Sequence, residues 1–224
     1  THTTAPPILS GLVGSEMCIR DSPKSLKPNR STMAILIMGE FIFGLGDSLL
    51  IAAGVGNTPW TVLAEGIADT VEVWTIGEAT FLVSIAVMFL WIPIKETPGI
   101  GTILNIIIIA LTIHVMVPIL PQSESLLVSI LMASSGIVLV GIGSSMYLTA
   151  NLGPGPRDGW MTGLQKSTGV PIGRVRITIE ASVLVIGVFL GGTFGIGTVL
   201  FALTIGPVVA TCLSIASRID SSTA

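Results

Sequence analysis

The chain has 224 residues, of which 50% are apolar and 10% charged, and its formal net charge is −3. A soluble domain carries roughly 25% charged residues, so this composition, with a mean hydropathy of +0.89, excludes a water-exposed globule and leaves an integral membrane protein. The small net charge and the lack of a basic stripe exclude a nucleic-acid binder, and two cysteines, Cys18 and Cys212, exclude a disulfide framework or a Cys/His metal site.

In chain order, residues 1–29 are rich in Pro, Ser and Thr and hold no sustained apolar run, so they are neither a signal peptide nor a span. The stretch from Leu12 to Ser22 resembles an adapter read-through translation, and the segment is read as a disordered, non-native tail without a role. Six later stretches approach the roughly 20 apolar residues needed to cross about 30 Å of hydrocarbon. They run from Met33 to Ala53, Thr75 to Pro93, Thr102 to Leu120, Leu127 to Ala150, Val175 to Gly192 and Ile196 to Ala216. Strict alternation in ten-residue strands, the mark of a membrane β-barrel, is missing. Two shorter segments, Pro59 to Val71 and Pro156 to about Thr168, begin with proline, which suits a first helical position that needs no N–H donor. Both are too short and too charged to cross, and they read as half-helices. Residues 218–224 are expected to be a disordered C-terminus.

The chain repeats itself. A shift of 97 places Gly39 on Gly136, Gly44 on Gly141, Gly46 on Gly143, Gly56 on Gly153, Pro59 on Pro156 and Gly66 on Gly163. After a one-residue slip, a shift of 96 lays Gly99-Ile-Gly-Thr-Ile-Leu104 on Gly195-Ile-Gly-Thr-Val-Leu200. Repeat 1 covers residues 30–120 and repeat 2 covers residues 121–217, each with three spans and one half-helix. An odd number of crossings turns the second copy upside down. With the N-terminus inside, Arg30, Lys95, Arg157, Lys166, Arg174, Arg176 and Arg218 all fall on one face, while the opposite loops carry no Lys or Arg. The positive-inside rule makes that face cytoplasmic, together with both termini. The expected fold is therefore all-α: a polytopic membrane protein with six transmembrane helices in a 3+3 inverted repeat. Small residues four apart (Gly44, Ser48, Ala52 and Gly56; Gly141, Ser145, Thr149 and Gly153; Ala202, Gly206, Ala210 and Ser214) predict close helix packing or a gliding surface between repeats.

Gly56-Asn57-Thr58-Pro59-Trp60, Gly155-Pro156-Arg157-Asp158-Gly159 and the two Gly-x-Gly-Thr-x-Leu hexapeptides resemble those of the YczE/YyaS/YitT group of bacterial multi-pass membrane proteins. The similarity runs from about residue 30 to residue 217. Where that group often carries Asp after Pro-Trp, this chain has Thr61, while Asp158 keeps the acid at the matching position of the second copy. The resemblance implies a multi-pass protein of the bacterial inner membrane.

Candidate site residues follow from two physical arguments. A helix N-terminus presents unsatisfied N–H groups and about half a positive charge, and discontinuous helices in repeat-built transporters aim such ends at substrate. This singles out Pro59 and Trp60 in the first copy and Gly155, Arg157 and Asp158 in the second, with Arg157 suited to a carboxylate or phosphate. Ionisable groups inside spans cost roughly 2.5 to 3.5 kcal/mol at a helix centre and point to function. They are Glu40 and Asp47 (seven apart, hence on one helical face), Glu78, Glu180 and His114, the last expected deep in the third span. The face shared by Glu40 and Asp47 suggests a cation or proton relay; the plainer reading is that each acid is neutral or bonded to a neighbouring helix. Arg157 and Asp158 read equally as headgroup-level anchors. Trp60, Trp74, Trp91 and Trp160 sit near span boundaries, as anchoring indoles do.

The sequence expectation is a small-solute or ion transporter that works by alternating access between inverted repeats. A non-transporting accessory or scaffold membrane protein is the alternative. No enzyme constellation, cofactor motif or metal-ligand spacing occurs. The expected partners are the lipid bilayer and a small solute or ion, with homo-oligomerisation left open.

Overall fold

A computed structural model describes residues 29–123 and 125–222. Every regular element among the described residues is a helix: α1 (Arg30–Ala53), α2 (Pro59–Val71), α3 (Ile76–Phe89), α4 (Trp91–Ile94), α5 (Ile100–Met116), α6 (Leu126–Ala150), α7 (Pro156–Thr168), α8 (Ile172–Phe189) and α9 (Ile196–Ser222). The tail read as non-native lies outside the described residues, save Asn29. Among the described residues, four stretches are long and apolar enough to cross a membrane: Arg30–Ala53, Ile76–Ile94, Leu126–Ala150 and Ile196–Ala216. The chain is thus an all-helical membrane protein. The other two expected spans are helices of a different kind. At 17 residues α5 is shorter than expected, stopping just ahead of Pro118, whose ring and missing N–H oppose a further turn. α8 carries Arg174, Arg176 and Glu180 in its first half, which lowers its apolar character. α9 runs on to Ser222, past the expected end at Ala216, so the stretch read as a disordered C-terminus is helical through Ser222.

α1 and α6 form the central pair. Gly39 lies against Gly143, and Gly46 against Gly136, so the two helices run antiparallel. A Cβ on Gly46 would sit 2.6 Å from the Gly136 carbonyl oxygen, as would one on Gly136 from the Gly46 oxygen. Backbones this close are available only to glycine, and in lipid such packing is what holds helices together. α5 flanks α1, and α9 flanks α6. The expected stripe serves those flanks rather than the α1–α6 seam: Gly44 faces Thr112 of α5, and Gly141 faces Val208 of α9. Gly206 has open space beside it. At the ends of two stripes, Gly56 meets Gly195 and Gly153 meets Gly99 of the other half, so the stripes give close packing both within and between halves.

The second body of the fold consists of α3 and α8 with the two half-helices set between them. α2 packs on α3 and α8, as does α7. Their shared core joins Trp60, Val83, Val87, Met161, Val175, Ile179 and Val183.

The loops after α1 and α6 have matching conformations. Each helix ends in a left-handed residue, Gly54 (φ 65°) or Asn151 (φ 50°). Gly56 (φ 113°) and Gly153 (φ 123°) then turn the chain in a region that residues with a Cβ avoid. Each hexapeptide braces the loop of the other half: the Gly101 N–H donates to the Leu152 carbonyl (2.9 Å), and the Gly197 N–H donates to the Val55 carbonyl (2.8 Å). Thus the orphan N–H groups that open α5 and α9 find acceptors across the molecule. Within each hexapeptide the threonine hydroxyl accepts from the first glycine N–H, Thr102 from Gly99 at 3.1 Å and Thr198 from Gly195 at 3.4 Å.

Candidate functional site at the half-helix starts

Thr58 caps α2. Its hydroxyl oxygen accepts from the Thr61 N–H (3.3 Å) and lies 2.8 Å from the Thr61 hydroxyl, with Pro59 at the first helical position. The Thr61 hydroxyl donates to Oδ2 of Asp47 at 3.3 Å, tying the half-helix to α1. Asp47 is 0% exposed, and its Oδ1 has no hydrogen-bond partner among the described residues.

α7 begins at the equivalent place without a side-chain cap, from Gly155 and Pro156. Trp91 Nε1 donates to the Pro156 carbonyl (3.0 Å), and the Trp91 ring packs so close to Gly159 that a Cβ there would overlap it. The Tyr147 hydroxyl on α6 donates to Asp158. Thr61 and Asp158 occupy matching positions in the two copies, and each is bonded to the helix before its own half-helix with the donor and acceptor roles exchanged.

The two starts meet through side chains. The Arg157 guanidinium lies 5.2 Å from the centre of the Trp60 ring, a cation–π contact between repeat-equivalent residues. Trp60 meets Trp160 edge to face at 6.3 Å. Asp47, Asp158 and Glu180 all lie within electrostatic reach of Arg157. Of the sequence-singled residues, Pro59, Trp60, Gly155, Arg157, Asp158 and Asp47 therefore share one region. Glu180 joins its margin, where Arg176 Nε donates to it at 2.9 Å.

The remaining three stand apart. Glu40 is 0% exposed, two turns from Asp47 on α1, and both carboxyl oxygens lack a hydrogen-bond partner among the described residues. Glu78 closes a capping box at the start of α3, accepting from the Thr75 N–H (2.8 Å) and hydroxyl (3.0 Å). His114 Nδ1 lies 2.9 Å from the same hydroxyl. It is exposed in the last turn of α5, not deep in a span, because that helix ends at Met116. Both therefore belong to an exposed helix-end network. Beside it a cleft of about 560 Å³ opens between the far end of α2 and the ends of α3 and α5, lined by Asp69, Glu72, Trp74 and His114 among others. No residue of either half-helix start lines it.

Two residues that sequence reasoning missed shape the site. Glu65 on α2 accepts from Asn57 Nδ2 (2.8 Å), the Thr193 N–H (2.7 Å) and the Thr193 hydroxyl (2.8 Å), fixing the first loop to the turn before α9. The available signal was an acid in the middle of a 13-residue helix, four residues ahead of Asp69. Tyr147, the one tyrosine of the chain, was likewise passed over.

Residues 30–214 match DUF6198, a family of unknown function. The chain is 45% identical over 188 residues to an uncharacterized protein of Haemophilus influenzae, covering 84% of this chain and 86% of that relative. It is 33% identical over 173 residues to the uncharacterized membrane protein YczE of Bacillus subtilis, covering 75% of this chain and 79% of YczE. It is 27% identical over 175 residues to the B. subtilis protein YyaS, covering 73% of this chain and 83% of YyaS. No solved structure matches. The family match begins at the start of α1 and takes in both half-helix starts, Asp47 and most of α9, and on this ground the chain belongs to DUF6198 as a YczE-like membrane protein.

Proposed function

We propose that this protein transports a small solute or ion across the bacterial inner membrane by alternating access between two inverted repeats, with both termini cytoplasmic. The observation that carries the reading is the meeting of the two half-helix starts. A buried acid from α1, a cation from the second copy and an aromatic ring from the first converge there. The antiparallel α1–α6 pair and the reciprocal bracing of the two loops support inversion, since both relations survive exchange of the halves. If the copies are inverted with the N-terminus inside, Arg30, Lys95, Lys166, Arg174, Arg176 and Arg218 fall on one side, and this pattern of the sequence supports the orientation. In this reading Arg157 attracts an anionic group, Trp60 flanks it, and Asp47 with Thr58 and Thr61 faces a positive or hydrogen-bonding part. It assigns no catalytic residue, cofactor or resident metal.

A second reading, a non-transporting scaffold, is favoured by one observation: the cleft described above lies away from the half-helix starts. Flux decides between the two. Purified protein in liposomes is expected to move at least one member of a panel of ions and metabolites. Asp47→Asn and Arg157→Ala should each slow that flux at least roughly tenfold, the equivalent of about 1.4 kcal/mol. No flux across a broad panel, with neither change altering any bound ligand, would remove the transporter reading.

A further inference from the structure

Glu40 is the most isolated acid among the described residues. It sits mid-helix in α1, 0% exposed, and neither carboxyl oxygen has a hydrogen-bond partner among the described residues. Among the described residues, the groups that face α1 bring it no cation. The titratable side chain of α5 is His114, which lies in the last turn beside Thr75, and that of α6 is Tyr147, which is engaged by Asp158. From α7, Arg157 reaches Asp47, and the ion pairs among the described residues are Lys166–Glu96 and Arg176–Glu180.

An ionised carboxylate without donors or a counter-charge is very costly in an apolar interior, and the group neutralises instead. A bound proton accomplishes this with one covalent O–H bond. A metal cation would need several oxygen ligands. The neighbours one turn away on this face, Leu36 and Gly44, bring no side-chain oxygen, and no metal-binding group of three His, Cys, Asp or Glu residues occurs among the described residues. Two turns along the same face, Asp47 also keeps one unpaired oxygen, beside the half-helix start.

We propose that Glu40 is a proton-binding site and that its proton is the coupling ion of the transport reading, on which the coupling role rests. The solute, held between Arg157 of α7 and Asp47 of α1, and the proton at Glu40 then both load α1, at positions two turns apart.

The test is modification of the full chain by a membrane-permeant carbodiimide, which adds to protonated carboxyls in apolar surroundings, read by mass spectrometry of the α1 peptide. The expected result is an adduct on Glu40 near neutral pH that disappears in Glu40→Gln. The adduct should fall as pH is raised and be indifferent to added sodium, potassium or lithium. No adduct on Glu40 overturns the proposal, as does an adduct that sodium suppresses at constant pH. Because the readout needs no transport, an adduct in a protein that moves nothing upholds the proton site while the transporter reading falls. Flux without an adduct does the reverse.

Discussion

Trp60 is held from two sides, by the Arg157 guanidinium at 5.2 Å and the Trp160 ring at 6.3 Å, and is only 4% exposed. Truncating a large buried aromatic leaves a cavity as well as losing its contacts, so Trp60→Ala should cost about 3–5 kcal/mol. Thermal unfolding in detergent reads this as a clear drop in midpoint; an unchanged midpoint would mean that the two half-helix starts do not depend on each other. Glu65 makes a similar point for the loop. Glu65→Ala leaves Asn57 Nδ2 and the Thr193 N–H without their acceptor, and one such orphaned buried group costs about 1–3 kcal/mol. The expected sign is faster proteolysis in the turn before α9. Equal cleavage rates would discount the brace. Sequence alone made Trp60 visible because it follows Pro59 in a repeated motif. Glu65 stayed hidden because its partner Thr193 lies 128 residues away.

Helices were the most legible level, and the reasons are physical. Apolar length gave α1, α6 and most of α9, and Pro59 and Pro156 marked the starts of both half-helices to the residue. The assignment of small residues to neighbours was not legible. A helix with glycines at positions 39, 44 and 46 offers several close-packing faces, and periodicity does not say which helix each one meets. In the fold, Gly39 and Gly46 take the α6 side and Gly44 the α5 side. His114 was placed too deep for a related reason: the apolar run extends past Met116, but Pro118 ends the helix first. The packing yields a paired prediction. Gly46→Val drives a side chain into the Gly136 backbone, where a Cβ would already be 2.6 Å from the carbonyl oxygen, and should destabilise by about 1–3 kcal/mol. Gly206→Ala meets nothing within 4 Å and should be neutral or stabilise by roughly 0.5–1 kcal/mol through helix propensity. Denaturation of the two variants side by side reads the contrast, and equal effects would contradict the α1–α6 contact.

At the level of the whole molecule, duplication organises the account. The exchange of loop and hexapeptide between halves explains why Gly-x-Gly-Thr-x-Leu occurs twice: each copy serves the other's turn. It also explains why one half alone lacks the acceptors for its own helix start. The sequence carried the repeat but not this reciprocity, because a shift in numbering contains no information about which half a loop touches. The proposed alternating access requires the two copies to sit in the bilayer upside down relative to each other. Pro98 and Phe194 are equivalent positions at the shift of 96, and both are exposed. The most direct measurement replaces each singly by cysteine, in a background with Cys18 and Cys212 changed to serine, and labels cells with a membrane-impermeant maleimide. The account predicts that Phe194→Cys labels from outside intact cells and that Pro98→Cys labels only after the membrane is opened. Labelling of both positions from the same side would contradict it.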